Sequence, residues 1–333
     1  MTTEISVAVD RREDVRTPVI AAAQGAFADI AGLENEFAGR AVIRQGPVDS
    51  PAEVAALTEG ASALAVTLHR MSAEHIAALA PSVKVLARAG VGLDTIDLEA
   101  AAAAGVNVVY QPNYATSEVA DQAAALALSA WRRTAAADSL MRTKGWASAQ
   151  EVGTIDALQE ATVGVLGVGR IGRAFVDRIR PFVHRVVVHD VRKPEEDLAG
   201  VEWCDTLADL LSVSNLLSLH LPLNAQTRGI LDAAALAQLP RGAVVINVSR
   251  GGLVDEAALT DALISGHLGG AGLDVFEQEP LPAESSLRAA PNLVMSPHLA
   301  WYSVSAGKRL ASWTFEDAVA LSNGEPVVRG TIV

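Results

Sequence analysis

The sequence predicts an α/β fold of two parallel-sheet domains, one inserted in the other, and three observations carry that expectation. Short β-branched runs alternate with Ala- and Leu-rich helical runs along most of the 333 residues, the pattern of parallel strands joined by crossover helices. The strand candidates fall into two series, separated by a long helical stretch at Ser117–Lys144. A final helical stretch, Val304–Ser322, follows the second series and is expected to pack back onto the first domain.

Taken in order, the first series places strands at Ile5–Val9, Ala41–Ile43, Ala63–Val66, Val83–Arg88 and Val106–Val109, with helices such as Pro51–Thr58 and Ser72–Leu79 between them. Ser117–Lys144 reads as one helix with Ala, Leu and Trp on an apolar face, a spine or hinge between the series. The second series places strands at Thr162–Leu166, Arg185–His189, Leu216–Leu219, Ala243–Val248, Gly270–Leu273 and Leu293–Met295. The expected division is therefore 1–113 with 304–333 as a discontinuous first domain, and 114–303 as the inserted domain, with 114–146 as a linking region.

Composition narrows the function. Half the residues are hydrophobic, which suffices for two cores, and only 4% are aromatic. The formal net charge of −13 argues against nucleic acid and anionic membrane as partners. The single cysteine, Cys204, excludes an intramolecular disulfide and fits a reducing compartment. The N-terminal MTTEISVAVDRRED has no apolar signal core, and no run approaches the ~18 apolar residues of a membrane span. The cytoplasm is the expected location.

The segment ATVGVLGVGRIGRAFVDRI holds Gly167, Gly169 and Gly172 in a Gly-x-Gly-x-x-Gly arrangement. The spacing alone is weak in a chain of 26 glycines, but here an apolar strand precedes it, an amphipathic helix follows it, and Asp190 ends the next strand. Gly167 permits the tight turn, Gly169 lets the backbone approach a pyrophosphate, and Gly172 lets helix and strand pack closely. Arg170 and Ile171 sit on the turn, whose N–H groups face the phosphates. Asp190 can accept hydrogen bonds from the adenosine ribose and would repel a 2′-phosphate, so NAD is expected over NADP, although Arg192 and Lys193 follow at once. Both domains then read as Rossmann- or flavodoxin-like, with the inserted one a doubly wound parallel sheet that binds NAD.

Three further segments follow: VVINVSRGGLVDEAAL, GGAGLDVFEQEPL and NLVMSPHLAWYS. Each puts a functional residue just past a strand end, namely Arg250, Glu279 and His298. Ligands of open α/β sheets bind beyond those ends. Hydride addition to a keto carbon builds charge on the carbonyl oxygen, which His298 can protonate. Glu279 can fix the histidine tautomer, and Arg250 offers a fork for a substrate carboxylate. No metal-ligand cluster is read. Singly each residue is unremarkable in a loop; their joint placement after successive strands makes them one candidate site.

GVGRIG, NVSRGGLVDE, LDVFEQEP and SPH together resemble the D-isomer-specific 2-hydroxyacid dehydrogenase family, over nearly the whole chain and most strongly from Ala161 to Ser303. The resemblance implies a carboxylate-binding arginine at Arg250, an orienting glutamate at Glu279 and an acid/base histidine at His298. It implies substrate contact by the Gly90–Gly92 loop of RAGVGLDTID, with Val91 at the cofactor, and cofactor contact by Leu221, Pro222 and Thr227 of HLPLNAQTRGIL, by Val248 and Ser249, and by Asp274. Within the family, HLAWYS resembles the C-terminal binding protein branch, which implies substrate-pocket roles for Trp301, Arg88 and His69. The stretch with Trp131, Arg132 and Arg133 resembles the family's dimer-forming segment, so a homodimer is expected.

The expected function is thus an NAD-dependent dehydrogenase interconverting a 2-keto acid and a D-2-hydroxy acid. The alternative is an NAD(H)-sensing binding module like the corepressor branch, with weak or no turnover. The stop at Val333, without that branch's long tail or a further regulatory domain, and the Ala- and Gly-rich composition favour the enzyme. Trp301 would narrow the pocket toward a medium apolar side chain.

Overall fold

The structure is a computed structural model and describes residues 17–193, 198 and 200–333. The strand expected at Ile5–Val9 lies outside the described residues. The chain forms two compact units, one running up to Tyr114 and including Gly307–Val333, the other Ala115–Ala306.

The first unit contains β1 (Val19–Ala23), α1 (Ile30–Glu36), β2 (Val42–Gly46), α2 (Pro51–Thr58), β3 (Ala63–Val66), α3 (Ala73–Ala77), β4 (Val85–Arg88), α4 (Leu98–Ala103) and β5 (Asn107–Tyr110). The second contains α5 (Thr116–Arg132), α6 (Thr134–Lys144), α7 (Ala149–Val152), β6 (Thr162–Leu166), α8 (Arg170–Ile179), β7 (Arg185–His189), β8 (Glu202–Trp203), α9 (Leu207–Val213), β9 (Leu216–Leu219), α10 (Ala233–Leu236), β10 (Ala243–Asn247), α11 (Glu256–Ile264), β11 (Leu268–Leu273) and β12 (Leu293–Met295). The chain then returns through α12 (Val304–Ser322) to β13 (Thr331–Ile332).

In the first unit the strand order is β13-β5-β4-β3-β1-β2, with β13 antiparallel to β5 and the other pairs parallel. Every residue of β3 (ALAV) and β4 (VLAR) is buried, as expected for parallel strands covered on both faces. Helix α2 starts where Ser50 and Glu53 form a capping box with Pro51 in the first turn, a start legible in the sequence. Phe315 of α12 packs edge-on against Phe27 at 5.1 Å and against Phe37 at 5.9 Å. Asp317, fully buried, accepts the N–H groups of Val328, Arg329 and Gly330 and the Gln111 amide, which fixes the path of the last residues.

The second unit is one all-parallel sheet in the order β12-β11-β10-β9-β6-β7-β8. The order reverses between β6 and β9, so the ligand crevice of such a sheet lies at the carboxyl ends of these two strands. One face is covered by a core that includes Leu210, Leu236, Leu259 and Leu263. The other packs against Ala120, Ala123 and Ala127 of α5 and Phe175 and Ile179 of α8. Fully burying each leucine or phenylalanine contributes about 1.5–3 kcal/mol.

The single helix expected over 117–144 is two. Arg133 takes a left-handed conformation, φ 53°, between α5 and α6. That conformation disfavours an L-residue by roughly 1–2 kcal/mol, and the arginine guanidinium offsets it by donating to the carbonyls of Thr154 at 3.1 Å and Gly269 at 3.2 Å. The partners are distant in sequence, so no glycine or proline marks the break. Among the described residues no helix is long and apolar enough to cross a membrane.

Candidate active site

The second unit gathers the glycine loop and the three candidate catalytic residues at the carboxyl ends of its strands. The loop leaves β6 at Gly167, φ 96°, whose Cβ would lie 2.6 Å from the His220 carbonyl oxygen, and a Cβ on Gly172 would lie 2.0 Å from the carbonyl oxygen of Gly167. Both positions therefore require glycine. Gly169 differs: its φ of −66° suits any residue, and an added Cβ would meet nothing among the described residues within 4 Å. The chain's own packing gives no reason for a bare backbone there, whereas close approach of a pyrophosphate does. No side chain caps α8, so its first N–H groups suit an anion. Asp190, half-buried at the end of β7, accepts the Val168 N–H at 2.8 Å and the Arg192 N–H at 3.2 Å. Lys193 holds its ammonium 5.7 Å from the centre of the Trp203 ring. These residues fit a dinucleotide.

Arg250 follows β10 in extended conformation. Its Nη1 donates to the Ser249 carbonyl at 2.7 Å, and its own carbonyl accepts the Asn247 amide at 2.8 Å. The Ser249 hydroxyl donates to the Leu219 carbonyl at 2.8 Å, tying this loop to β9, and Val248 is buried. Gly251 is pressed against the next loop: a Cβ there would lie 2.0 Å from the Phe276 carbonyl oxygen.

Glu279 accepts at both oxygens. The Phe276 N–H donates to Oε1 at 3.0 Å, and His298 Nδ1 donates to Oε2 at 2.6 Å. Burial pushes the Glu279 carboxyl up, but the hydrogen bonds from His298 and Phe276 and the charges of His298 and Arg250 outweigh it, holding it below its ordinary value. The Glu279–Pro280 peptide is cis.

His298 has a left-handed backbone, φ 50°, rare for a residue other than glycine. Its N–H donates to the Asp274 carbonyl at 2.7 Å, and its carbonyl accepts the Trp301 indole N–H at 3.1 Å. Asp274 is fully buried; its carboxylate accepts the Ser296 hydroxyl at 2.5 Å and the N–H groups of Leu299 and Ala300 at 3.1 and 2.8 Å. Burial raises its pKa despite these bonds. Gln122 of α5 donates to the Ser296 hydroxyl at 3.0 Å. The Asp274 carboxylate, expected at the cofactor, is thus occupied by the loop that carries His298.

Other expected contacts are also engaged within the chain. Thr227 is buried and its hydroxyl donates to the Pro222 carbonyl at 2.6 Å, shaping the loop after Leu221. In the first unit, Arg88 is buried, 3% exposed; its Nε donates to the Gly92 carbonyl at 3.0 Å and its Nη1 to the Ala89 carbonyl, bracing the loop of Gly90, Val91 and Gly92. His69 Nδ1 pairs with the Thr67 hydroxyl at 3.3 Å.

Sequence reasoning missed Ser296, Gln122 and the Phe276 N–H. Ser296 stood in the SPH segment and could have been found; Gln122 could not, since nothing local links it to residue 296. It also missed His220, whose ring lies 5.1 Å from Phe175 and whose Nε2 pairs with Ser218 at 2.9 Å. Among the described residues no group of three His, Cys, Asp or Glu is placed to hold a metal ion.

Comparison with known proteins places this arrangement. Residues 124–300 match the family described as D-isomer specific 2-hydroxyacid dehydrogenase, NAD binding domain. The chain is 40% identical over 274 residues to a D-3-phosphoglycerate dehydrogenase of Mycobacterium tuberculosis, covering 82% of this chain and 51% of that protein. The chain thus spans about half the length of that relative. It is 37% identical over 250 residues to a glyoxylate reductase of Korarchaeum cryptofilum, covering 74% of this chain and 75% of the relative. Among solved structures, an NADPH-dependent glyoxylate/hydroxypyruvate reductase from Sinorhizobium meliloti, in complex with NADP and malonate, is similar at a TM-score of 0.83 and 31% identity, over 95% of this chain and 97% of that one. With the family's domain matched across the glycine loop, Arg250, Glu279 and His298, the chain belongs to the D-isomer-specific 2-hydroxyacid dehydrogenase family.

Proposed function

We propose that this chain interconverts a 2-keto acid and a D-2-hydroxy acid, using NAD(H). The observation that carries the reading is the His298–Glu279 contact of 2.6 Å, at the carboxyl edge of the same parallel sheet as a glycine loop that fits a dinucleotide. A bound nicotinamide supplies or accepts the hydride. With Nδ1 committed to an ionised glutamate, His298 is left with Nε2 to give a proton to the substrate oxygen, or to take one in the reverse direction. Arg250 supplies the positive charge that binds carboxylate and polarises the carbonyl. Gly167–Gly172, Leu221, Pro222, Val248 and Ser249 hold the cofactor, and Asp190 selects NAD over NADP. Asp274 and Thr227 act by shaping the loops that carry His298 and Pro222. In the first unit, the Gly90–Gly92 amides form a carboxylate-binding loop braced by Arg88.

Trp301 is proposed to favour a keto acid with an apolar side chain of medium size. The likeness of HLAWYS to the C-terminal binding protein branch supports that wall and rests on sequence alone. A homodimer is proposed through the linking region that begins at Trp131–Arg133: Trp131 itself is buried, but α6 after it buries none of its residues, and Met141 and Trp146 are 44% and 77% exposed. A solution mass near twice 34.6 kDa is expected, and a monomeric mass would remove this part.

The test is cofactor oxidation with glyoxylate, hydroxypyruvate, 3-phosphohydroxypyruvate and phenylpyruvate, each with NADH and NADPH. Turnover of a non-phosphorylated acid with NADH is expected. No turnover with any acid, together with stoichiometric capture of a protein partner, would favour the binding-module alternative instead.

A further inference from the structure

We propose that Trp301 is a positioning residue for His298, acting through the main chain, and not only a wall of the substrate pocket. The inference rests on His298 being the acid/base of the proposed reaction. The indole N–H of Trp301 donates to the His298 carbonyl at 3.1 Å, closing a short turn from residue 298 to 301. His298 needs such a tie because its left-handed backbone, φ 50°, relaxes unless the surroundings over-determine it.

The constraints fall on both sides of the residue. Before it, the N–H is fixed by the Asp274 carbonyl. After it, the Leu299 and Ala300 N–H groups are fixed by the Asp274 carboxylate. The His298 carbonyl shares its peptide plane with the Leu299 N–H, so the indole and the Asp274 carboxylate hold that plane from its two sides, and the indole is steadied by Tyr302, whose ring meets it edge-on at 5.6 Å and 87°. If that carbonyl swings, the imidazole swings with it, and the 2.6 Å contact to Glu279 opens. A shift of about 1 Å suffices to cost a large factor in rate.

Trp301→Phe separates the two roles, because it keeps an aromatic face, at some loss of ring area, and removes the N–H. If Trp301 positions His298, kcat falls about five- to tenfold, the worth of one hydrogen bond, by the same factor for small and large keto acids, with KM little changed. In ¹⁵N-histidine-labelled protein, the downfield Nδ1–H resonance of His298, assigned by its loss in Glu279→Gln, broadens or shifts upfield in Trp301→Phe. Trp301→Leu, which removes ring and N–H together, shows the same kcat loss plus a KM change that depends on substrate size. An unchanged melting temperature of Trp301→Phe confirms that the fold is intact. The proposal is overturned if Trp301→Phe keeps the resonance and kcat and alters KM alone. If the wild type turns over no 2-keto acid, the proposed reaction fails, while the resonance still decides whether Trp301 positions His298.

Discussion

Gly251 and Phe276 touch through their main chains: a Cβ on the glycine would stand 1.8 Å from the Phe276 carbonyl carbon and 2.0 Å from its oxygen. This contact locks the loop of Arg250 to the loop of Glu279. Backbone cannot yield as a flexible side chain can, so Gly251→Ala must push the two loops apart. We expect it to destabilise the protein by at least roughly 1–3 kcal/mol, the usual range for overpacking, and to reduce activity beyond what stability explains. Chemical denaturation and kinetics on the same preparation check this. An alanine variant with full activity and stability would show that the loops are not locked.

In the proposed reaction Asp190 selects the cofactor by charge. Replacing it with serine removes the repulsion of a 2′-phosphate and the acceptor for the ribose hydroxyls. It also weakens the bond that steadies Val168 N–H at 2.8 Å. NADH binding, followed by its fluorescence, should weaken about tenfold, as for the loss of a hydrogen bond to a charged group, while NADPH binding weakens less or improves. Equal losses for both cofactors would assign Asp190 to the turn alone.

His220 makes stability depend on pH. Its ring is buried under the glycine loop, with Nδ1 lacking a partner among the described residues, and burial pushes its pKa down to about 3 from an ordinary 6.5. The folded chain keeps it neutral, whereas the unfolded chain gains a proton below 6.5. The contribution is therefore fully present above pH 6.5 and is lost as pH falls from there toward about 3. Between pH 6.5 and 5 the loss is about 1–2 kcal/mol. The carboxyl of Glu279, held low, adds its own loss only further into acid. Unfolding curves of wild type and His220→Phe at both pH values should show a smaller acid loss in the variant; parallel losses would clear His220.

The sequence read the inserted sheet well because its strands are short, mostly apolar runs bounded by turns. Thr162–Leu166, Arg185–His189 and Leu216–Leu219 were each predicted with their observed ends. It missed β1, VIAAA, because an alanine run favours helix locally and only burial in a sheet overrides that preference. The break at Arg133 depends on carbonyls of Thr154 and Gly269, and the occupation of Asp274 depends on a turn after Pro297. Motif spacing located Arg250, Glu279 and His298, since each ends or follows a strand. It could not reveal the left-handed backbone of His298, which is imposed by partners up to 24 residues away at Asp274.

Arg250 should be the residue most sensitive to the substrate's carboxylate. Arg250→Lys keeps the charge but loses the fork. We expect KM for the keto acid to rise more than tenfold, roughly the loss of one charged hydrogen bond, with NADH affinity unchanged. A parallel loss of NADH affinity would move Arg250 from substrate to cofactor.

In the proposed reaction His298 moves the proton with Glu279 behind it. The direct measurement is kcat of His298→Ala against wild type at saturating NADH, with the best keto acid of the panel, after NADH affinity has been shown to be intact. A loss on the order of 10²-fold or more is expected, the scale of general acid–base catalysis, with a smaller loss in the same direction for Glu279→Gln. A His298→Ala variant that turns over at the wild-type rate would contradict it.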